Sequence, residues 1–327
     1  MNSFLKIAFA VLAAVVLEFS GTSAIAQDVY PSKPVKIIVP YAPGGVGDQF
    51  ARALGQHLQD AFGQPFLVEN RPGASQMIGA MAVASAPPDG YLLFLGATGS
   101  LAMNAYTQKN IRYDPVKDFA PVSLGMTMPL FLVVNPSVPA RSVKELIAML
   151  KADPGKYTFA SIGNGSSTHM AGEMFKLMSG TDMVHVPYKS SVPAITDVLA
   201  GQVTMSFDVG VSSLPFVKAG RLRALAVTSP QRFSLMPELP TVAEAGVPNY
   251  DASVWFGLVA PAGTPSSITT KLSREIDRIM RLPEMRERFS IYAVDLTPNT
   301  PEEFGAMIKA EIAKWVRVLR EAGIKPE

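Results

Sequence analysis

The sequence predicts an α/β protein of two domains, with parallel-rich sheets flanked by helices. Three observations carry this reading. Apolar segments of strand length alternate with helical patterns, as in parallel strands joined by crossover helices. Of the 327 residues, about 300 follow an export-type leader, and at roughly 150 residues per domain they make two domains. Hydrophobic residues reach 48% and charged residues only 17%, so each domain has material for its own core. The 25 glycines and 27 prolines show no period and no low-complexity run. That excludes collagen-like, coiled-coil and disordered chains, and it points to domains joined by more than one crossing.

Lys6 precedes the apolar run 7–17, and small residues lead to Ala24-Ile25-Ala26, the three-part pattern of a secretory signal peptide (1–26) cleaved after Ala26. The run is shorter than the ~20 residues of a membrane span. Gln27 rather than cysteine follows the expected cut, so no thioether lipid anchor can form there. A freely diffusing, exported chain without disulfides fits a Gram-negative periplasm.

Segments 35–39, 66–68, 92–95, 131–134, 157–160, 203–207 and 225–227 read as strands, with another around His185. Phe50, Leu54, His57, Leu58 and Phe62 recur at helical spacing, which puts His57 on a core or boundary face rather than at a ligand. Residues 170–178 and 194–199 continue the helical pattern. Ser142 with Glu145, Thr241 with Glu244, and Thr300 with Pro301 and Glu303 each place a hydroxyl at a helix start and a carboxylate three residues on. Gly246 and Gly323 mark helix ends. The last helix carries Phe304, Ile308, Ile312, Trp315 and Leu319 as a core stripe.

A formal charge of +2, from 29 basic and 27 acidic residues without long runs, offers no footprint for nucleic acid or an anionic membrane. With no cysteine, disulfides, thiol nucleophiles and thiolate metal sites are excluded, and only His57, His169 and His185 supply imidazoles.

Three loops can do chemistry. Pro40-Tyr41-Ala42-Pro43-Gly44-Gly45-Val46-Gly47-Asp48 joins a strand to a helix, so its amides and the helix N-terminus favour an anion. It lacks the lysine of a P-loop and the glycine spacing of a dinucleotide fingerprint, and Asp48 reads equally as a first-turn acid. Ser161-Ile162-Gly163-Asn164-Gly165-Ser166-Ser167-Thr168-His169 sets three hydroxyls at a helix start, more than one cap requires. No nucleophile elbow is present, and His169 stands too close in sequence to face the serines as a base. His185-Val186-Pro187-Tyr188-Lys189-Ser190-Ser191 repeats the arrangement. Asp208, after an apolar strand, either selects a ligand ammonium or hydroxyl or caps the next turn. No carboxylate pair or metal-ligand spacing is evident.

At these same segments the chain resembles the Bug family, the periplasmic solute-binding proteins of tripartite tricarboxylate transporters. The resemblance runs from about Tyr30 to the C-terminus through Pro43-Gly44-Gly45 with Asp48, Val68-Glu69-Asn70-Arg71-Pro72-Gly73-Ala74, Pro88-Asp89-Gly90-Tyr91, the stretch 113–122, Gly163-Asn164-Gly165-Ser166-Ser167, His185-Val186-Pro187-Tyr188-Lys189, Leu222-Arg223-Ala224-Leu225-Ala226-Val227-Thr228 and the stretch 255–261. It implies a type II-like Venus-flytrap periplasmic binding protein fold, with domain 1 formed by 27–125 plus 253–327, domain 2 by 126–252, and a carboxylate in the cleft between them. It also implies that loop 43–48 holds one carboxylate, partly through ordered water, with further contacts from the Ser166 to Thr168 region and the Thr98-Gly99 turn.

The expected ligand-binding set is Tyr41, Pro43, Gly44, Gly45, Val46, Asp48, Thr98, Gly99, Asn164, Ser166, Ser167, Thr168, Tyr188 and Asp208. No catalytic residue, metal or cofactor is expected. The family's threonine or serine before the first aspartate is Gly47 here, its asparagine after the second is Val209, and its common glycine is Ser190. These losses of polar contacts tilt the expectation toward a less polar or aromatic carboxylate. The expected function is a monomeric, non-catalytic receptor that delivers a small organic carboxylate to the membrane subunits of such a transporter, with signalling to a sensor kinase as the alternative.

Overall fold

The computed structural model describes residues 30–326, so the signal peptide and its cleavage site lie outside the described residues. From Lys33 onward the chain is one compact unit that holds two sheets. The first sheet is built on β1 (Val35–Val39), where only Lys36 is exposed among buried Val35, Ile37, Ile38 and Val39, as befits a strand covered on both faces. It lies parallel between β2 (Phe66–Asn70) and β3 (Leu92–Ala97), with Ile37 opposite Val68 and Leu93. β10 (Val254–Pro261) is buried at every position and runs antiparallel between β3 and β4 (Phe119–Met128). The short β11 (Asp295–Leu296) closes the edge, in the order β11-β4-β10-β3-β1-β2.

The second sheet runs in the order β7 (Val184–Pro187), β6 (Thr158–Ser161), β8 (Met205–Asp208), β5 (Phe131–Val134), β9 (Arg223–Val227). Its parallel part is β6 between β7 and β8. β5 is antiparallel to both β8 and β9. Parallel pairing needs a crossover, usually a helix; β5 instead arrives directly from β4 through Pro129 and Leu130.

The chain passes between the sheets at residues 129–130 and again through segment 228–253. Because β4 continues to Met128, the expected boundary at 125/126 falls inside that strand. Thr228 fastens the two passages together. Its Oγ1 accepts from Leu130 N at 2.8 Å and donates to Ala252 O at 3.3 Å, while its own N donates to Leu130 O at 2.9 Å.

Two of the three expected helix starts form helices. Thr300 and Glu303 make a complete capping box for the helix Pro301–Glu321. Ser142 caps Val143–Ala152, although the Glu145 carboxylate turns to Arg141 N instead of closing the box. Thr241 and Glu244 also exchange their hydrogen bonds, at 3.0 Å each, yet only a single turn follows. Gly246, at φ +129°, and Pro248 stop the expected helix there. The helix expected over 194–199 begins earlier, as Ser191–Leu199, and the strand expected over 203–207 begins later, as Met205–Asp208. Amides Gln202 and Val203 are still bonded to Asp197 O and so complete the turn after that helix.

The C-terminal helix completes the first sheet. A β-carbon at Gly257 would fall 2.3 Å from the Phe304 ring, so only glycine lets the helix approach β10 this closely. Phe304 then meets Trp255 edge-on at 5.7 Å. Ile308, Trp315 and Leu319 are buried and Ile312 is half-buried.

Candidate functional site

The expected binding loops leave the carboxyl ends of β1, β3, β6, β7 and β8, the edge at which open α/β sheets carry their ligands. In the first loop, Gly45 is the N-cap of the helix Val46–Phe62 and no side chain caps that end. Its first-turn amides therefore stay open to an anion. Pro43, Gly44 and Gly45 are exposed, and Tyr41 and Val46 half-buried.

Asp48 lies beneath the loop, 3% exposed. Its Oδ2 accepts from Gly44 N at 2.9 Å and Arg52 Nε at 3.0 Å, and its Oδ1 from Asn70 Nδ2 at 2.9 Å. Burial pushes the carboxyl up, but the bonds from Arg52, Gly44 and Asn70 outweigh it and hold the group below the usual carboxylate range. Both oxygens are spent inside the protein, so Asp48 shapes the loop. Thr98 is similarly committed: its Oγ1 accepts from Trp255 N at 2.9 Å. Gly99 opens a single π-helical turn, Gly99–Met103.

In the second loop, Ser166 caps the helix Ser167–Ser179 by accepting from His169 N at 3.3 Å, and it donates to Gly163 O at 2.7 Å. Thr168 is buried and accepts from Ile162 N at 3.0 Å. Asn164 is exposed and Ser167 half-buried. In the third loop, Ser190 stands at the N-cap of Ser191–Leu199 without a side-chain cap bond, a second open helix end. Tyr188 donates its hydroxyl to Asp197 Oδ2 at 2.6 Å and packs on the core of the second sheet. Burial, with the bond to Asp197, pushes that phenol to about 12. Its hydroxyl is turned away from the loop edge. Asp208 is 2% exposed and accepts from Ser191 Oγ. Burial raises its pKa despite the bonds from Ser191, Ser213 and Val209.

The structure brings Gly99, Asn164 and Ser166 together on the walls of one cavity of about 740 Å³. The other expected residues do not line it. The same walls carry residues outside the expected set, among them Gln76, Asn104, His169 and His185. The imidazoles of His169 and His185 stack at 3.8 Å, with Phe159 behind His185 at 4.9 Å. Gly165 N donates to His169 Nδ1 at 3.1 Å, and Ser161 Oγ lies 2.6 Å from His185 Nε2. Burial lowers both imidazoles to about 4, so they are neutral near pH 7. Both histidines were visible in the candidate loops, but nothing in their spacing shows that two strand-separated rings stack. His57 is half-buried on its helix, 3.7 Å from Glu284 Oε1, a boundary position as expected.

Among the described residues, no group of three or more His, Asp or Glu side chains could hold a metal ion, and no helix is long and apolar enough to cross a membrane.

Residues 50–324 match the family described as "Tripartite tricarboxylate transporter family receptor". Protein BugT of Bordetella pertussis is 39% identical over 319 residues, which cover 96% of this chain and 98% of BugT. Among solved structures, R. palustris Rpa4515 with adipate is similar with a TM-score of 0.75 and 35% identity, covering 91% of this chain and 100% of that one. MatC from Rhodopseudomonas palustris with bound malate is similar with a TM-score of 0.70 and 29% identity, covering 89% and 100%.

Proposed function

The chain belongs to the tripartite tricarboxylate transporter receptor family, and from that premise we propose that it captures a small organic carboxylate and presents it to the transporter's membrane subunits. The observation that carries the reading is the gathering of open helix ends and hydroxyls along the carboxyl edges of both sheets, without an arginine among the expected ligand contacts. The adipate and malate of the two related structures support a carboxylate as the ligand class.

We read the molecule as two lobes, one around each sheet, that close over the ligand by bending where the chain passes between them. The paired passages at 129–130 and 228–253, fastened by Thr228, suit a hinge, which needs few residues to absorb the motion. The ligand, held in the cleft, favours the closed form and thereby offers the membrane partner a surface that the open form lacks. Charge-assisted hydrogen bonds of about 1.5–3 kcal/mol each let four or five contacts, less ordering costs, reach the ~8 kcal/mol of a micromolar complex. Ser167, Ser190 and the open amides of loop 43–48 are the contacts we assign first, with Thr98, Thr168 and Asp48 holding the loops that present them. Asp208, bonded to Ser191, supports the loop that presents Ser190.

The remaining parts of the reading are export to the periplasm as a monomer and release of the ligand unchanged. Isothermal titration with a panel of aliphatic, aromatic and hydroxy acids tests the core of it. We expect micromolar binding of at least one acid, accompanied by compaction in small-angle scattering. Absence of binding across the panel, or turnover of a bound acid, overturns it. Capture of a sensor kinase rather than the transporter's membrane subunits by the liganded protein would replace the delivery step.

A further inference from the structure

The cavity beside the binding loops is larger than a carboxylate alone fills. One wall is the turn that follows β2, where Ala74, Ser75 and Gln76 all adopt positive φ, at 44°, 51° and 74°. None is glycine, so this backbone is strained and must be held by its surroundings. Two bonds do so: Asn104 Nδ2 donates to Ser75 O at 2.7 Å, and Gln76 N donates to Gly73 O at 2.9 Å. The strained turn delivers the Gln76 amide against Gly99, where a β-carbon would lie 2.9 Å from Nε2. There Oε1 is buried and accepts no hydrogen bond. A buried acceptor left open is costly, and strain of this kind concentrates at ligand sites.

The lining also holds the stacked pair His169 and His185, flat, polarisable and uncharged near neutral pH, and the exposed Asn164. Gly99 and Ser166 belong both to this cavity and to the loops assigned to the carboxylate, so the cavity adjoins those loops. A volume of about 740 Å³ lies within the range of small-molecule sites, ~300–1,000 Å³, and exceeds what a carboxylate and a few carbons fill.

We propose that this cavity receives the far end of the ligand and that Gln76 Oε1 selects an uncharged hydrogen-bond donor there. The preferred ligand class is then a long or aromatic hydroxy acid rather than a dicarboxylate of equal length. This inference rests on the carboxylate-receptor reading and deepens it. A second carboxylate would meet the unpaired carbonyl oxygen of Gln76 and two neutral imidazoles, and would gain no cationic partner from either. Lys109 and Lys325 also line the cavity, and a dicarboxylate that used them would bind in competition with this preference.

The test is a titration of the mature protein with three acids: a short monocarboxylate, a long ω-hydroxy acid or hydroxylated aromatic acid, and the dicarboxylate of the same length. In the wild type the hydroxy acid should bind about tenfold more tightly than the dicarboxylate, the factor one hydrogen bond of this kind provides. Gln76→Ala should remove that preference and leave the short acid's affinity unchanged. Gln76→Asn tolerates positive φ and shortens the reach by one carbon; it should lose the preference in the same way while melting with the wild type. An equal or reversed preference in the wild type, or a preference that survives both substitutions, overturns the inference. Failure of all three acids to bind the wild type overturns the receptor reading instead.

Discussion

Replacing Asp48 with alanine tests how the first binding loop is made. In the structure one carboxylate collects Gly44 N, Arg52 and Asn70 Nδ2 at 2.9–3.0 Å while being 3% exposed. Each such bond to a charged acceptor contributes roughly 1.5–3 kcal/mol. The Arg52 side chain is half exposed and can rehydrate, so its share is discounted heavily. Gly44 and Asn70 have less freedom, which leaves an expected loss of about 3 kcal/mol for Asp48→Ala. Urea unfolding of wild type and variant measures it directly. The folded-state pKa lies below the usual value, so the contribution is fully present above the ordinary carboxylate pKa of ~3.9 and is lost as pH falls through the folded value. The gap between the two proteins should be constant from pH 7 to 5 and close at lower pH. Because Gly44 is part of the open amide loop, carboxylate affinity should fall at least tenfold, by about 1.4 kcal/mol. A variant within 1 kcal/mol of wild type that binds the same acid equally well would refute the argument.

The two tryptophans of the chain, Trp255 and Trp315, both donate Nε1–H to Glu311 Oε2 at 3.0 Å, and Lys314 pairs with the same carboxylate. Glu311→Ala should cost about 3 kcal/mol and shift the intrinsic fluorescence, because it leaves two buried indole donors unpaired while Lys314 keeps Asp251 as its partner; an unchanged emission maximum would count against this network. The stacked histidines have folded pKa values near 4, below the ordinary value, so the unfolded chain binds more protons and stability falls as pH drops from 6.5 to 4. The loss should be on the order of 2 kcal/mol, and it should shrink in His185→Gln, as followed by unfolding at stepped pH. Thr228→Val keeps the shape but strips the hydroxyl that Leu130 N and Ala252 O share, so about 2 kcal/mol of stability should go. If the passages at 129–130 and 228–253 are the hinge, the same variant should also alter the closure seen by scattering, whereas a change in stability alone would separate the hinge from the fold.

How much of this was legible beforehand depends on whether the information is local. Strands such as Val35–Val39 and helix starts such as Thr300 with Glu303 announce themselves because periodicity and capping act within a few residues. The long strand Phe119–Met128 was not anticipated, since Pro121, Ser123 and Gly125 interrupt its apolar pattern, and β10 carries Gly257 at its centre. Those residues make sense only against their neighbours: Gly257 is there for Phe304, 47 positions later. Thr241 with Glu244 shows the converse, a valid local signal that a nearby glycine and proline cut short.

The same division runs through the site. Composition and spacing alone pointed to amides and hydroxyls at helix starts as the candidate binding groups, because a chain with no cysteine and three scattered histidines has few other means. Side-chain direction was decided by the tertiary structure. It turned Asp48, Thr98, Thr168 and Tyr188 inward to hold the loops, and it stacked His169 on His185 and set Gln76 against Gly99. A hydrogen bond forms between groups brought within about 3 Å, and which groups come that close is a property of the packed chain.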